Sequence, residues 1–381
     1  MKINLDLRMA RLPCGGRTYT TELSRGLLAL GTDDQFEFYH NPWCEYQQGL
    51  VAQIREAYPE RVSDGQIRFT DIEPACLTLK HHFAFGGKGK DADVSHYLHF
   101  DMPLSMKSQA LVQTIHDLYP LCIPRYCGAL KRSYFEMITR RSTRRARLVI
   151  SVSQQTRQDL IKYLEVPEEK LVVIPHGYNE AFQRIKDESQ LETVRQRHQL
   201  PERFVLYTGM HKPHKNLSRL FQAFARLKPA IREYFPLYLT GPETEDTAQL
   251  KALANELGIQ ETVHFLGLLP GEDLPALYNL ASLYVLPSLY EGFGFGPLEA
   301  MACGTPVACS NSGALPEVVG PAGWLFDPYS VEAMSDRLHA ALENDVGDPR
   351  VTSDCLRQAR RFSWSKSAKM THDVYRQASE S

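Results

Sequence analysis

An α/β fold of two domains, each with a parallel sheet covered by helices, is predicted by three observations. The chain has 381 residues, which is more than one ordinary hydrophobic core organises. Short β-branched and aromatic runs alternate with segments of helical period through the second half, as expected for βαβ units. Hydrophobic residues make up 43% and charged residues 23% of the chain, proportions typical of a globular protein and not of a disordered one.

The strands are predicted where short apolar runs end in turn residues. In the second half these runs are residues 204–208, 236–240, 262–266, 283–286 and 305–309. The first half shows the alternation less cleanly, with buried strands predicted at 112–116, 148–152 and 171–175. Helices are predicted at 217–227, 247–257 and 331–342, and Ser153 is a suitable N-cap for one more.

The domain boundary is predicted in the polar, helix-prone stretch that precedes the strand at 204–208. We therefore assign residues 1–190 to an N-terminal Rossmann-like domain and residues 191–361 to a C-terminal one, followed by an amphipathic segment at 362–381. Ligands of open α/β sheets bind at the carboxyl ends of the strands. Two such domains that face each other would form one central cleft.

Composition and motif content exclude several classes of protein. The longest apolar runs fall far short of the roughly 20 residues that span a bilayer, and the N-terminus lacks the apolar segment and cleavage site of a signal peptide. The eight cysteines form no C-x-x-C pair, so neither a zinc site nor a disulfide framework is implied. A net charge of -2 gives no reason to expect nucleic acid as a partner. We expect a cytoplasmic protein with reduced cysteines.

The most informative stretch is residues 287–307, which read PSLYEGFGFGPLEAMACGTPV. A strand is predicted to end at Pro287, a glycine-rich turn follows, and a helix opens near Pro297 with Glu299 in its first turn. Backbone N–H groups of such a turn, together with a helix N-terminus, bind an anion or a sugar hydroxyl. The carboxylates of Glu291 and Glu299 could each accept hydrogen bonds from a pair of donor hydroxyls.

This stretch resembles the signature of family 4 glycosyltransferases, in which seven residues separate two glutamates. The resemblance continues through GALPEVV at 313–319, begins earlier with LYTGMHKPHKNL at 206–217, and ends with FSW at 362–364. It implies the GT-B architecture, in which two Rossmann-like domains face a central cleft and the C-terminal helix returns to the N-terminal domain. Residues 1–190, with 362–381 packed on them, would bind the acceptor, and residues 191–361 the nucleotide sugar.

The resemblance also assigns roles to residues of the C-terminal domain. Glu291 would hold sugar hydroxyls with the amides of the turn, Glu299 the ribose hydroxyls, and the basic residues that follow Gly209 the diphosphate. Where relatives often carry an arginine in that segment this chain has His211, which leaves two lysines as the cations. The strand at 263–266 would present backbone groups to the base. The predicted donor-binding residues of this domain are Gly209, Lys212, Lys215, Phe265, Leu266, Glu291, Gly292, Phe293, Gly294, Phe295 and Glu299.

Two motifs of the N-terminal domain complete the predicted site. The segment TIHDL at 114–118 resembles the His-Asp element of the family, so His116 would face the anomeric centre from the acceptor side, next to Asp117. Gly15 and Gly16 resemble its first glycine-rich loop, which approaches the phosphates and the acceptor. His116, Asp117 and Glu291 are the predicted catalytic residues.

The implied activity is transfer of a sugar from a nucleotide-diphosphate donor to an acceptor hydroxyl, with retention of anomeric configuration. Lysine ammonium groups and helix N–H dipoles stabilise the departing diphosphate, so no metal ion or other cofactor is expected. Similarity is greatest to bacterial mannosyl- or rhamnosyl-type enzymes. A GDP-sugar such as GDP-mannose is the first expectation for the donor and a UDP-sugar the second. The acceptor would be a glycan or a lipid-linked molecule of surface polysaccharide or lipopolysaccharide biosynthesis.

A basic stretch at residues 131–147 suggests a further partner. If it is helical, three of its arginines, at 140, 144 and 147, share one face. Such a face could attract anionic lipid headgroups and hold a cytoplasmic enzyme at the inner surface of the membrane, or it could simply be solvated. Its basic residues are Lys131, Arg132, Arg140, Arg141, Arg144, Arg145 and Arg147.

Other functions fit the sequence less well. A nicotinamide-dependent oxidoreductase would carry Gly-x-Gly-x-x-Gly after its first strand, and the chain lacks it there. A nucleic-acid-binding protein could use the arginine cluster, but the near-neutral charge and the absence of a known binding module argue against it. A GT-B nucleotide-sugar epimerase stays open as an alternative, and it would differ in needing no acceptor. A GT-B phosphorylase should show a lysine context that bears a cofactor, and the sequence lacks one.

Overall fold

The computed structural model describes residues 1–11, 15–73, 76, 78 and 80–380, and the chain divides into two compact units. Unit 1 comprises Met1–Gly177 and Ser363–Ser381, and unit 2 comprises Tyr178–Phe362. The predicted division between residues 190 and 191 falls inside unit 2. Asn279 binds residues on the N-terminal side of that division, since its amide accepts from the N–H of Ile185 and donates to the carbonyl of Gln183.

Unit 1 is built on a seven-stranded sheet whose strands are all parallel, in the order β3-β2-β1-β4-β5-β6-β7. The strands are β1 (Lys2–Asp6), β2 (Gln35–His40), β3 (Ile67–Asp71), β4 (Val94–Tyr97), β5 (Ala110–Ile115), β6 (Leu148–Ser151) and β7 (Leu171–Val173). Its helices are α1 (Gly15–Ala29), α2 (Glu45–Ala57), α3 (Pro59–Ser63), α4 (Tyr119–Cys122), α5 (Ala129–Arg145) and α6 (Gln154–Leu164). Ser153 caps α6 by accepting from the N–H of Thr156, as predicted.

Unit 2 is built on a six-stranded parallel sheet in the order β10-β9-β8-β11-β12-β13. The strands are β8 (Val205–Thr208), β9 (Leu237–Thr240), β10 (Val263–Gly267), β11 (Leu283–Leu286), β12 (Val307–Ser310) and β13 (Trp324–Phe326). Its helices are α7 (Glu188–Arg197), α8 (Leu217–Ala225), α9 (Pro229–Tyr234), α10 (Glu245–Glu256), α11 (Leu274–Leu280), α12 (Phe295–Ala302), α13 (Leu315–Val319), α14 (Val331–Ala340) and α15 (Pro349–Ala359).

The last helix, α16 (Trp364–Glu380), belongs to unit 1 and packs against α1. A side chain at Gly26 of α1 would lie 2.9 Å from the Cβ atom of Ala368, so the absence of one lets the two helices approach closely. The hydroxyl of Ser367 donates to the carbonyl of Pro175 at 2.6 Å. The predicted return of the C-terminal helix to the N-terminal domain is therefore confirmed, as are the two parallel sheets. The central cleft stays a prediction.

The interpretation of the basic stretch needs correction. Helix α5 ends at Arg145, so Arg147 lies beyond the helix and cannot share a helical face with Arg140 and Arg144. Arg140 donates to the carbonyls of residues 163 and 164 at the end of α6, and Arg145 to those of residues 103 and 106 in a loop, so both guanidinium groups secure backbone segments of unit 1. Arg141 and Arg144 remain exposed. None of the described helices has both the length and the apolar character needed to cross a bilayer.

Candidate functional site

The core of the site in unit 2 is an ion pair between two loops at the carboxyl edge of the sheet. Lys215 ends a 3-10 turn after β8, and Glu291 lies in the turn after β11, the strand that pairs with β8. The ammonium of Lys215 donates to Oε1 of Glu291 at 2.6 Å, and both side chains are 18% exposed. The sheet order reverses between these two strands, which is where open α/β sheets bind ligands. Two residues assigned from the sequence are thus in direct contact.

The carboxyl group of Glu291 is held ionised by this pairing. Burial by itself would raise the pKa of Glu291, but the charge and hydrogen bond of Lys215 outweigh it, and the pKa is lowered. A carboxylate only accepts hydrogen bonds. Glu291 can therefore receive hydrogen bonds from hydroxyl groups when a ligand displaces or shares Lys215.

The Lys215 turn is fixed to the glycine-rich turn by its neighbours. Asn216, with φ of 62°, donates to the carbonyls of Pro287 and Pro328 at 3.0 and 2.7 Å. The N–H of Leu289 donates to the carbonyl of His214 at 2.9 Å. These bonds join the ends of β8 and β11, so the ammonium is positioned before any ligand arrives.

The glycine-rich turn is required by its geometry. Gly294 has φ of 127°, a conformation that residues with a side chain rarely adopt, and it is the N-cap of α12. A Cβ atom on Gly296 would overlap the hydroxyl of Tyr284, so the backbone passes close to β11 there. Gly292 and Phe293 are buried and Phe295 is half-buried in the same turn. The predicted turn is confirmed, whereas the donor contacts of its amides stay predictions.

The second glutamate lies deeper in its helix than the sequence suggested. Helix α12 begins at Phe295, two residues before Pro297, so Glu299 is in the second turn, and its placement in the first turn is wrong. Since Gly294 takes the left-handed backbone that caps the helix, the start moves toward the N-terminus. Oε2 of Glu299 accepts a hydrogen bond from the hydroxyl of Tyr278 at 3.0 Å.

Glu299 belongs to a small hydroxyl network at the end of β8. Burial raises the pKa of Glu299 to about 7, against a smaller lowering by the hydrogen bond from Tyr278. The Tyr278 hydroxyl lies 2.9 Å from Oγ1 of Thr208, which is 3.2 Å from the Tyr284 hydroxyl. The carboxyl group of Glu299 therefore changes its ionisation near neutral pH before a ligand binds.

The basic residues of the segment after β8 have different surroundings. Gly209 has φ of 140°, and its carbonyl lies so close to Gly241 that a side chain there would overlap it. His211 is buried, its Nδ1 bonds Thr247 of α10, and burial lowers its pKa. A neutral, buried histidine is not a cation for a diphosphate. Lys212 is exposed, and Lys215 is the lysine that reaches Glu291.

The predicted base-contacting strand contains an irregularity. In the pairing of β10 with β9, Phe265 is opposite Leu239 and Gly267 is opposite Thr240, so the register skips Leu266. A bulge of this kind leaves backbone groups outside the ladder. Phe265 is half-buried, with its ring 5.6 Å from that of His211. The geometry is compatible with the predicted backbone contacts, which stay predictions.

His116 in unit 1 directly follows β5, as predicted. Its Nε2 donates to the carbonyl of Leu98 at 2.9 Å, and the ring packs edge-on against Tyr19 with centroids 4.7 Å apart. Burial is the main cause that lowers the pKa of His116, and the electrostatic effect of the nearby His99 adds to it. The pKa falls to about 4, so the imidazole is neutral at pH 7. Its Nδ1 is then a hydrogen-bond acceptor. His116 is suited to receive a sugar hydroxyl.

The other predicted residues of unit 1 have local structural roles. Oδ1 of Asp117 accepts from the N–H of Tyr119 at 3.0 Å and so helps to start α4. Gly15 and Gly16 are in the first turn of α1, and their assignment to a loop is wrong within the described residues; residues 12–14 lie outside them. Arg17 donates to the carbonyls of Ala10 and residue 11, which anchors that helix start.

Comparisons with known proteins match both halves of the chain. The family described as Glycosyl transferases group 1 matches residues 190–361, and Glycosyltransferase Family 4 matches residues 13–182. O-antigen chain mannosyltransferase B of Escherichia coli is 34% identical over 72% of this chain and 72% of its own length. The chain belongs to the family 4 glycosyltransferases.

A further relative agrees with this membership, and solved structures share the fold. The glycosyltransferase is 31% identical to the serotype-specific mannosyltransferase WbdA of Escherichia coli. The match covers 68% of this chain and 32% of the length of WbdA. Sucrose-phosphate synthase from Thermosynechococcus elongatus has the same fold, with a TM-score of 0.78 and 22% identity over 99% of this chain and 98% of that one. Anabaena HepE in complex with UDP and glucose gives 0.71 and 20%, over 98% and 99%. Membership of the family 4 glycosyltransferases removes the oxidoreductase alternative.

Sequence reasoning missed polar residues near the predicted site residues of each unit of the glycosyltransferase. Tyr278, which donates to Glu299, lies in helix α11, where an aromatic residue is indistinguishable by sequence from a residue of the hydrophobic core. His99 and Asp101 follow β4 and bond each other at 2.6 Å beside His116. The sequence pattern that could have marked them is a histidine and an aspartate two residues apart after a strand. Because β4 was not predicted, this pattern was missed. Within the described residues no group of three or more His, Cys, Asp or Glu is suited to hold a metal ion, and metal independence stays a prediction.

Proposed function

We propose that this glycosyltransferase transfers mannose from GDP-mannose, with retention of configuration, to a glycan or lipid-linked acceptor of surface polysaccharide biosynthesis. The observation that carries the proposal is the Lys215–Glu291 ion pair between the ends of β8 and β11. The printed activities of the similar proteins, O-antigen and WbdA mannosyltransferases, support mannose as the sugar. A UDP-sugar is the second choice of donor, supported by the UDP in HepE.

The ion pair supplies the two functions that such a donor needs. The ammonium of Lys215 can turn to the diphosphate and stabilise the negative charge that builds as the bond to the anomeric carbon breaks. Glu291, no longer paired, can accept hydrogen bonds from the sugar hydroxyls, and Glu299 from the ribose. A lysine then performs the neutralisation that a divalent cation would otherwise provide.

Donor binding is tested by thermal unfolding with GDP, GDP-mannose, UDP and UDP-glucose, each with and without EDTA. A ligand at 100 times its dissociation constant stabilises the folded state by about 2.7 kcal/mol. We expect GDP and GDP-mannose to raise the midpoint most, and EDTA to change nothing. The product formed on mannosyl acceptors is then assigned as the α-anomer by NMR. A β-linked product, or stabilisation by none of the four, contradicts the proposal.

One face of α5 supports a peripheral position at an anionic membrane. Leu130 and Met137 on that helix are 87% and 61% exposed, and Arg141 and Arg144 continue the same face by helical spacing. Apolar side chains that can enter the headgroup region, next to arginines, are the pattern of interfacial helices. This face replaces the arginine face that the sequence predicted.

Vesicle sedimentation decides this point. Phosphatidylcholine vesicles are compared with vesicles that also contain phosphatidylglycerol, for the wild type and for Arg141→Glu with Arg144→Glu. The double variant should bind the anionic vesicles at least about thirtyfold less, since each of the two basic residues contributes about 1 kcal/mol near such a surface. Lys369→Glu with Arg376→Glu, two exposed residues of α16, is the control. Equal binding of wild type to both vesicles rejects the membrane face.

A further inference from the structure

Unit 1 has its own reversal of strand order, and ionisable side chains gather there. The sheet order reverses between β1 and β4, which are paired and parallel. Asp6 ends β1 and bonds Arg8, while His99 and Asp101 follow β4. In sheets of this kind the carboxyl edge at the reversal is the usual ligand position. None of these four residues has a role in the function proposed above.

The imidazole of His99 is oriented by a buried carboxylate. Asp101 is fully buried, and its Oδ1 accepts from Nδ1 of His99 at 2.6 Å and from the hydroxyl of Tyr97 at 3.0 Å. Burial would raise the pKa of Asp101, but His99, His81 and Tyr97 lower it on balance, so the group is a carboxylate. Since a carboxylate only accepts, Nδ1 of His99 carries a proton and Nε2 of the neutral ring keeps its lone pair.

The outer nitrogen of His99 is available to a ligand. The side chain is 15% exposed, and no hydrogen bond of Nε2 is found to any residue that the structure describes. The loop that carries it is rigidly held: Gln113 of β5 donates to the carbonyls of His99 and Phe100 at 2.9 and 3.0 Å, and His116 donates to that of Leu98. His99 also lies near His116, and it lowers the pKa of His116 by a smaller amount than burial does. The hydrogen bond from His116 to Leu98 thus helps to hold the loop that carries His99.

The charges of the cluster select the kind of ligand. Arg8 is paired with Asp6 through a buried bidentate contact, with Nη2 to Oδ2 at 2.6 Å, and His81 is kept neutral because burial lowers its pKa. With Asp101 as a carboxylate, the group carries no net positive charge whether His99 is neutral or protonated. A phosphate would meet no favourable charge here, whereas a sugar hydroxyl needs only a hydrogen-bond acceptor.

We propose that His99, oriented by Asp101, binds an uncharged hydroxyl of the sugar acceptor. The inference rests on the proposed glycosyl transfer and names the acceptor class for unit 1: a glycan hydroxyl, not the phosphate of a lipid carrier. His99 contacts the substrate in this arrangement. Asp101 is a positioning residue, because it acts only by fixing the tautomer and direction of the ring.

The kinetic test uses GDP-mannose as donor and mannotriose as acceptor. His99→Ala should raise the KM for mannotriose about tenfold, the effect of one lost hydrogen bond to a positioned group, and leave the KM for GDP-mannose and its slow hydrolysis within twofold. Asp101→Asn should raise the same KM, since its amide can donate to Nδ1 and turn the lone pair away from the acceptor. The control is His82→Ala, a neighbour that bonds Tyr134 and lies outside the proposed subsite. An unchanged KM for mannotriose in His99→Ala overturns the proposal.

A second measurement keeps this proposal separate from the donor assignment. Diethyl pyrocarbonate should modify His99 at Nε2 in the wild type, and mannotriose, but not mannose 6-phosphate, should protect it, as read by mass spectrometry. If GDP-mannose is neither bound nor hydrolysed while mannotriose protects His99, the proposed donor fails and the acceptor subsite stands. If mannotriose gives no protection, or mannose 6-phosphate protects better, the subsite is wrong.

Discussion

The two sheets place charged groups at the same topological position but treat them in opposite ways. In unit 2 the pair Lys215–Glu291 is partly exposed and lies between loops rich in glycine. In unit 1 the pair Asp6–Arg8 is 1% exposed on both sides. A ligand can open the first pair by offering its own charges and hydroxyls. The second is enclosed by the fold, so it serves to shape the edge where His99 and His116 are presented.

The difference teaches which ion pairs at a strand edge are structural. A buried pair that loses one member leaves the other charge without compensation in a medium of low polarity, which costs far more than the pair contributes. A partly exposed pair that loses one member leaves a charge that water can reach. Mutation of the two pairs should therefore affect different properties, stability in unit 1 and turnover in unit 2.

The largest effect is expected for Arg8→Ala. Removal of the guanidinium leaves the Asp6 carboxylate buried, so the free energy of unfolding should fall by about 3–5 kcal/mol. Urea denaturation followed by circular dichroism measures it. Lys215→Ala is the matched control in unit 2 and should change that free energy by less than about 1 kcal/mol. Equal losses in the two variants would erase the contrast between the two edges.

The next effect is on turnover. Lys215→Ala and Glu291→Ala should each reduce kcat with GDP-mannose on the order of 100-fold, the usual result of removing one preorganised electrostatic contact. Lys228→Ala, a 71% exposed lysine of the same unit that lies outside the predicted site, is the control and should lose no more than about threefold. Wild-type rates in the Lys215 and Glu291 variants would refute the site in unit 2.

A smaller effect follows from the pKa of Glu299, which burial raises to about 7. Ribose hydroxyls need the carboxylate, so the affinity for GDP should rise as pH rises through this value, about tenfold from pH 6 to pH 8. Isothermal titration calorimetry measures it. The terminal phosphate of GDP also ionises in this range. Because glutamine does not ionise, the pH dependence of GDP affinity in Glu299→Gln measures the contribution of the phosphate by itself. A wild-type profile that matches Glu299→Gln would remove Glu299 from the nucleotide site.

The smallest effect is expected at Tyr278. Its hydroxyl donates to Glu299 and lowers the pKa of that group, so Tyr278→Phe should move the inflection of GDP affinity to higher pH and weaken binding at pH 7 about threefold. Tyr284→Phe removes the neighbouring hydroxyl, which bonds Thr208, and is the control. An inflection that stays at the wild-type pH would show that the Tyr278 hydroxyl does not tune Glu299.

Most of the fold of unit 2 and its site could be predicted because their signals are local. Strands such as β11 are fully buried and almost wholly apolar, so composition marks them, and the glycines at 292, 294 and 296 mark the turn. The start of α12 could not be predicted to the residue, since it depends on the left-handed backbone of Gly294. The resemblance placed Lys215 and Glu291 in one donor site, whereas their contact with each other comes from the pairing of β8 with β11.

The edge of unit 1 escaped prediction for a physical reason. Strands β1 and β4 bury polar side chains: Asn4 donates to Ser95 across the two strands, and His96 lies between Tyr375 and Thr114. Their hydropathy therefore hides them, and the buried hydrogen bonds that make them stable connect residues far apart in the chain. Without these strands, the location of Asp6, Arg8, His99 and Asp101 at one edge cannot be inferred.

The sequence by itself determined two Rossmann-like domains, a glycine-rich turn between a strand and a helix, and two glutamates in that turn and helix, because each depends on residues close together in the chain. Tertiary structure alone decided that Lys215 meets Glu291, that Arg140 and Arg145 bind backbone carbonyls of unit 1, and that His99 lies near His116. These contacts depend on which strands are neighbours. Strand order is set by packing over the whole sheet, and no local pattern specifies it.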